Sequence, residues 1–185
     1  DLFARVLVKP RDVVLIERPT YSPAIDVFGR QGANMISIEI SPDGYDLEQV
    51  ELLMQKEKPR LFYLNPTFHN PTGYTVPAEQ RKRLVELAAK YQCLIVEDDP
   101  CRDLYFSDEP PLPFFSYDTA GYVIYLRSFS KYIAPGLSIA TVACRPSIMN
   151  YLIQAKSLSD SGAPLLNQKI FLHYFFSERM QQHLA

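Results

Sequence analysis

The sequence has few of the residues that build disulfide frameworks or metal sites. Among its 185 residues are only three cysteines, Cys93, Cys101 and Cys144, and no two of them form a CxxC pair. An odd number of widely spaced cysteines suggests neither a disulfide framework nor a zinc knuckle. We therefore expect three free thiols. The three histidines are also scattered, so no metal site is predicted.

Charge of one sign is not in excess either. The chain has 19 Lys and Arg against 21 Asp and Glu, which leaves a formal net charge of −2. Proteins that bind polyanionic DNA or RNA usually present a basic surface. We therefore expect no direct nucleic-acid contact from this segment.

Long apolar runs are missing as well. No run approaches the roughly 20 residues that cross a bilayer. The first residues, DLFARVLVKPRD, lack the basic start and the apolar stretch of a secretory signal. These two absences predict a cytoplasmic protein without a membrane anchor.

What the chain does have is enough apolar sequence, 47%, for a sizeable core. Short β-branched runs alternate with stretches of helical periodicity, which is typical of βαβ units. The pattern predicts an α/β fold, with a mostly parallel sheet sandwiched by helices. The predicted strands, each short enough to be buried on both faces, are Val13–Glu17, Met35–Ile40, Arg60–Leu64, Cys93–Asp98, Tyr122–Arg127 and Ile139–Cys144. The predicted helices are Tyr21–Arg30, Asp46–Glu57, Pro77–Tyr91, Ser147–Ser159 and Leu165–Leu184.

The two ends of the sequence both fall inside helical patterns. No linker, internal repeat or low-complexity tract divides the chain between them. We therefore expect one domain over residues 1–185, truncated at both ends.

Four loops that follow predicted strands carry polar, chemically capable residues. In open α/β sheets ligands collect at the carboxyl ends of the strands. We therefore expect these loops to meet at one edge of the sheet and to form one site. They are Arg18–Tyr21, Asn65–Gly73, Glu97–Asp103 and Ser128–Gly136.

The last of these loops contains a candidate covalent anchor. A lysine at a strand end, here Lys131, can form a Schiff base with a carbonyl compound. Ser128 and Ser130 beside it offer hydroxyl donors to a phosphate. This combination suits a phosphorylated aldehyde.

The other loops could hold an electron-poor ring. Asp98 could keep a pyridine nitrogen protonated, Asn70 could donate to a phenolic oxygen, and Tyr21 could stack on the ring face. Two alternatives stay open. Asp99 could exchange roles with Asp98 by one register, and Asn65 also precedes Pro-Thr, so that either asparagine could simply be a turn residue.

Taken together and at these separations, the motifs NPTFHNPTG, VEDD, RSFSKYIAPG and RPTY resemble the pyridoxal-phosphate enzymes of the aspartate-aminotransferase fold. The resemblance covers almost the whole chain and implies the large, pyridoxal 5′-phosphate-binding domain of a homodimer that binds an amino acid or amine. It implies an internal aldimine at Lys131 and a bond from Asp98 to the pyridine nitrogen. It also assigns the ring oxygen O3′ to Asn70, the phosphate to Ser128 and Ser130, and ring stacking to Tyr21.

Within that family the variant SFSKxxAPGL with EDDP looks closest to two groups. One is the 2-aminoadipate-type aminotransferases, and the other is the MocR transcription regulators of the GntR family, whose aminotransferase-like domain follows a winged-helix domain. Two positions depart from the family pattern. Cys101 stands where a tyrosine commonly binds O3′, and Ser138 stands where an arginine usually clamps the phosphate.

These departures favour a regulator's effector-sensing domain, because sensing needs cofactor and ligand binding but not fast turnover. The alternative is a free-standing aminotransferase that acts on an amino acid and a 2-oxo acid.

Overall fold

A seven-stranded sheet forms the centre of the computed structural model, which describes residues 1–160 and 162–184. The strands are β1 Val13–Arg18, β2 Asn34–Ser41, β3 Gly44–Tyr45, β4 Leu61–Leu64, β5 Leu94–Asp98, β6 Val123–Ser128 and β7 Ala140–Ala143. Their spatial order is β3-β2-β1-β4-β5-β6-β7. The five central strands run parallel, and β3 and β7 pair antiparallel at the two edges.

Helices cover both faces of this sheet, which confirms the predicted α/β sandwich. The helices are α1 Leu2–Leu7, α2 Ser22–Arg30, α3 Leu47–Glu57, α4 Ala78–Tyr91, α5 Pro146–Asp160, α6 Leu165–Phe175 and α7 Glu178–Leu184. The α3 and α4 helices pack on one face, and α1, α2 and α5 pack on the other. None of the helices in the described residues is long and apolar enough to cross a membrane.

Alternation along the central strands divides the core into two layers. In β1, Leu15 packs with α3 and α4, whereas Val14 and Ile16 pack with α1 and α2. The same period of two places Ile95 in one layer and Val96 in the other. Consecutive residues at a strand end therefore face opposite sides of the sheet.

The edges of the sheet correct part of the prediction. The predicted strand Ile139–Cys144 is the antiparallel edge strand β7, with Ala140 and Thr141 exposed, and not a strand buried on both faces. The β2 strand is also only partly buried, with exposed residues along its length. The two-residue strand β3 was not predicted, because two residues are too few to show a period.

The predicted helix Leu165–Leu184 is in fact two helices. Ser177 uses both its backbone N–H, at 3.0 Å, and its hydroxyl, at 2.6 Å, to donate to the carbonyl of Tyr174. A turn of this kind competes with the helical hydrogen-bond pattern and ends α6. The predicted domain of residues 1–185 includes Ser161 and Ala185, which lie outside the described residues.

Candidate cofactor site

One cavity of about 280 Å³ lies at the carboxyl ends of β1, β4, β5 and β6. Strands β1 and β4 are neighbours in the sheet, while the chain leaves β1 toward β2 on the other side, so the cavity lies at a point where the strand order reverses. The cavity brings together all six side chains predicted from the sequence, which are Tyr21, Asn70, Asp98, Ser128, Ser130 and Lys131. It is also lined by Tyr63, Asn65 and Pro100.

Asp98 is the last residue of β5 and carries the carboxylate of the cavity. Its Oδ2 accepts a hydrogen bond from the Tyr63 hydroxyl at 2.7 Å. Its Oδ1 accepts no hydrogen bond from the part of the chain that the structure describes. Burial raises the pKa of Asp98, the Tyr63 hydrogen bond lowers it, and the nearby charge of Glu17 raises it. A cation placed against Oδ1 would favour the ionised carboxylate.

Tyr63 is a site residue that the sequence analysis missed. Burial and the neighbouring Asp98 raise the pKa of its phenol. The hydroxyl therefore stays protonated and donates a hydrogen bond to the carboxylate. One sequence feature could have indicated Tyr63. It is a residue with a hydroxyl inside the otherwise apolar strand Leu61–Leu64, two residues before Asn65 and therefore on the same side of the strand.

Asp99 faces the opposite side of the sheet from Asp98 and does not line the cavity. Its Oδ2 accepts from the Tyr125 hydroxyl at 3.2 Å, and it is fully buried away from the cavity. Glu97, two residues earlier, faces the same way and accepts the backbone N–H of Phe114 at 2.9 Å. Alternation therefore leaves Asp98 as the one acid of this triplet that lines the cavity.

The loop after β4 contributes both asparagines, in different ways. The Asn65 side chain is a bridge, because its Nδ2 donates to the carbonyl of Asp98 at 2.5 Å and its Oδ1 accepts the backbone N–H of Asn70 at 2.7 Å. Asn70 lies at the exposed end of the bridge, beside the cavity, and its bond to Pro71 is cis. Asn65 is thus a buried structural link and not merely a turn residue.

Arg81 of α4 anchors the loop after β4 through hydrogen bonds. The side chain is fully buried and donates to the carbonyls of Pro66 at 2.9 Å and Val76 at 2.8 Å. It also donates to the Thr67 hydroxyl at 3.1 Å, and its Nη1 lies 3.8 Å from Oε1 of Glu97. The planar guanidinium serves several acceptors at once and fixes the backbone on both sides of Asn70.

The loop after β6 carries the lysine and the two serines. Phe129 between the serines is buried against the aromatic rings of Phe171 and Phe175, so its neighbours point toward the cavity. Within the described residues Lys131 makes no salt bridge. The Ser128 hydroxyl oxygen accepts the Ser130 backbone N–H at 3.4 Å. The amine and both hydroxyl protons are therefore available to a ligand.

Tyr21 and the two atypical positions complete the surroundings. Tyr21 immediately precedes α2, lines the cavity and is 43% exposed. Cys101 is half-buried, and burial raises the pKa of its thiol while the charge of Lys131 lowers it. Ser138 is exposed in a left-handed conformation, and its hydroxyl donates to the Pro135 carbonyl at 3.3 Å. Neither Cys101 nor Ser138 is among the described residues that line the cavity.

The chain belongs to the aminotransferase class I and II family, whose family model matches residues 1–177. It is 39% identical to a 2-aminoadipate transaminase of Thermus thermophilus, over 98% of this chain and 47% of that protein. It is 32% identical to YisV, an uncharacterized HTH-type transcriptional regulator of Bacillus subtilis, over 97% of this chain and 37% of that protein. The chain thus spans about half, or less, of the length of these relatives.

A solved structure extends this comparison to three dimensions. A crystal structure of an alpha-aminoadipate aminotransferase from Thermus thermophilus, complexed with N-(5′-phosphopyridoxyl)-L-leucine, matches with a TM-score of 0.90. The identity is 35%, over 99% of this chain and 49% of that chain. Pyridoxal 5′-phosphate is the cofactor of this family, which confirms the cofactor predicted from the sequence. The free amine of Lys131, the free Oδ1 of Asp98 and the two serine hydroxyls fit its aldehyde, ring nitrogen and phosphate.

Proposed function

We propose that this chain is the cofactor-binding part of an effector-sensing domain in a MocR-type transcription regulator, with pyridoxal 5′-phosphate attached to Lys131. The observation that carries the proposal is one cavity shared by two serines, the partly buried carboxylate of Asp98 and a lysine that makes no salt bridge within the described residues. The ligand that the domain senses would be an amino acid or an amine. A homodimer working in the cytoplasm is part of the same proposal.

Each side chain around the ring has a separate task. The bound cofactor supplies an electron-poor ring that can accept negative charge from a ligand. Asp98 offers its free Oδ1 to the ring N–H, while the Tyr63 hydroxyl on Oδ2 keeps the carboxylate in place. Asn70 donates to the ring oxygen, and Tyr21 covers one face of the ring.

Lys131 and the two serines hold the opposite end of the cofactor. The Lys131 amine makes the covalent attachment, and the hydroxyls of Ser128 and Ser130 donate to the phosphate. The Lys131 amine would also be the group able to hold or move a proton at the α-carbon of a bound ligand.

The two atypical positions support sensing over turnover. Neither Cys101 nor Ser138 supplies a phenol or a guanidinium where aminotransferases of this family commonly have them. A charge-assisted contact of the kind that Ser138 cannot make contributes about 1.5–3 kcal/mol. The similarity to an HTH-type regulator over 97% of the chain fits the same interpretation.

A free-standing aminotransferase is the second candidate. It is favoured by the higher identity, 39%, to a 2-aminoadipate transaminase. In that case the same residues would catalyse amino-group transfer between an amino acid and a 2-oxo acid.

The attachment is tested by incubating the intact protein with pyridoxal 5′-phosphate, reducing it with borohydride and measuring its mass. We expect one phosphopyridoxyl group per chain, none on Lys131→Ala, and weaker cofactor retention for Asp98→Asn. Asp99→Asn is the matched control, because it changes the neighbouring carboxylate on the other face. Labelling that persists unchanged in Lys131→Ala would contradict the proposal.

The two candidate functions are separated by single-turnover spectroscopy of the loaded protein with a panel of amino acids. The regulator predicts a spectral change on ligand binding without complete conversion of the cofactor to its amine form. Rapid and complete conversion by a common amino acid would identify an enzyme instead.

A further inference from the structure

A carboxylate that none of the roles above uses lies directly behind the cavity. Glu17, the penultimate residue of β1, is 1% exposed. Its Oε1 accepts the Tyr45 hydroxyl at 2.5 Å, and its Oε2 accepts the backbone N–H of Asn65 at 2.8 Å. Burying a carboxylate costs free energy that an apolar residue would not cost, so its partners matter.

His69 provides the third contact of this carboxylate. The ring is 1% exposed, and its Nε2 lies 3.2 Å from Oε2 of Glu17. The backbone N–H of Thr72 donates to Nδ1 at 3.4 Å. Nδ1 also lies 2.9 Å from the Thr72 hydroxyl oxygen, so the ring is held with Nε2 beside the carboxylate.

One carboxylate is therefore linked to both ends of the segment from Asn65 to His69. Asn65 in turn bridges the Asp98 carbonyl and the Asn70 backbone N–H. Arg81 holds Pro66, Thr67 and Val76, but it does not contact Asn65, His69 or Asn70 within the described residues. The two ends of the segment, Asn65 and His69, contact Glu17 instead, and the His69 backbone is also hydrogen-bonded to Tyr74 and Gly73.

We infer that Glu17 and His69 are positioning residues that set the Asn70 side chain relative to Asp98. The inference rests on the proposed function, because it assumes that Asn70 and Asp98 bind the two sides of one ring. Glu17 does not itself line the cavity; it acts through the backbone of Asn65, which does, and through His69. Its removal loosens the spacing between amide and carboxylate without removing either group.

The test is a double-mutant cycle on the affinity of the intact protein for pyridoxal 5′-phosphate, measured by absorbance titration. Glu17→Gln keeps the shape of the side chain but removes its charge. One of the two oxygens that accept from the Asn65 N–H and the Tyr45 hydroxyl becomes an NH2 group, which cannot accept a hydrogen bond. We expect about tenfold weaker binding for Glu17→Gln, because the charge-assisted hydrogen bond to the Asn65 N–H is replaced by a weaker neutral one. In an Asn70→Ala background we expect Glu17→Gln to weaken binding less than about twofold, because the group it positions is gone.

Tyr45→Phe is the matched control. It removes a hydrogen bond to the same carboxylate, on the side away from the loop. It should lower the melting temperature as Glu17→Gln does while leaving cofactor affinity within about twofold of wild type. The absorbance maximum of the bound cofactor should shift in Glu17→Gln and not in Tyr45→Phe.

The possible failures are distinguishable. Wild-type protein without Lys131-dependent labelling would overturn the proposed function. Normal labelling, with equal loss of affinity for Glu17→Gln in both backgrounds or with an equal effect of Tyr45→Phe, would overturn only the inference. If Glu17→Gln does not fold, His69→Gln enters the same cycle with the same expected coupling, because it breaks the second link between Glu17 and the loop.

Discussion

At the end of β5, three consecutive acids face two different environments. Asp98 lines the cavity, whereas Glu97 and Asp99 are buried on the side of α4. Burial raises the pKa of Glu97 to about 7 and that of Asp99 to about 6. The nearby guanidinium of Arg81 lowers both values but does not offset burial. The side of the sheet away from the cavity therefore holds protons that an unfolded chain would release.

This protonation predicts how stability depends on pH. The folded-state pKa of Glu97, about 7, exceeds its ordinary value of 4.5. Between these two pH values the folded chain therefore binds more protons than the unfolded chain. The stabilisation is fully present below the ordinary value and is lost as the pH rises through about 7. We expect the free energy of unfolding, measured with urea, to fall by about 2 kcal/mol between pH 5 and pH 8.

Glu97→Gln should reduce this pH dependence, because the amide does not titrate, and should leave the smaller contribution of Asp99. Glu79→Gln changes an exposed acid on α4 and should keep the wild-type slope. An identical slope for Glu97→Gln and wild type would show that another group is responsible.

At single residues, the sequence predicted the side chains that line the cavity better than the residues that hold them in place. Lys131 and Asp98 follow apolar strands, so their position at the sheet edge follows from the strand assignment. Asn65 and Glu17 could not be assigned in the same way, because their roles arise from hydrogen bonds across strands that only the folded sheet brings together. A periodic pattern contains no information on those partners.

Among the helices and strands too, features set by neighbouring residues were predicted, and features set by residues far away in sequence were not. Helix α3 begins where predicted, because the Asp46 carboxylate accepts the N–H groups of Glu48 at 3.0 Å and Gln49 at 3.1 Å. This cap is encoded in neighbouring residues. The exposed, antiparallel character of β7 depends instead on where the chain returns to the sheet, which its own sequence does not specify.

Helix α4 allows a matched comparison between two arginines. Arg81 is fully buried and donates to three loop groups on either side of Asn70, whereas Arg83 pairs on the surface with Glu86 and Glu51. Lysine keeps the charge but cannot replace the planar fork. We expect Arg81→Lys to lower the free energy of unfolding by about 3 kcal/mol, because it leaves buried carbonyls unpaired.

Arg83→Lys, two residues further along the same helix, should change that free energy by less than about 0.5 kcal/mol. Both variants are measured by urea unfolding at one pH. Equal effects of the two substitutions would show that the loop does not depend on the buried guanidinium.

For the molecule as a whole, α5 and α6 carry one of the two main groups of exposed apolar side chains, and the other is formed by residues 104–106. Leu158 is 89% exposed and Leu166 69% exposed, and Phe176 just after α6 is 79% exposed. Exposed patches of this kind mark surfaces that bind other parts of a protein or other chains. They are consistent with a chain that spans 47% of one relative and 37% of another.

We expect the intact protein to be a homodimer. Light scattering coupled to gel filtration should give twice the mass of one polypeptide, and that mass should persist on dilution to micromolar concentration. A mass of one polypeptide at the highest concentration would contradict the predicted dimer.

The spacing of the cavity residues along the chain has a consequence for biosynthesis. Tyr21, Asn70, Asp98 and Lys131 come from four strand ends that adjoin in the sheet but lie far apart in sequence. A ribosome releases them in that order, and neighbouring parallel strands can pair only once the long crossover connection between them has been made. A nascent chain can therefore assemble most of the cavity well before it has the amine that captures the cofactor. Among the four residues, the lysine proposed to capture the cofactor is thus the last to be translated.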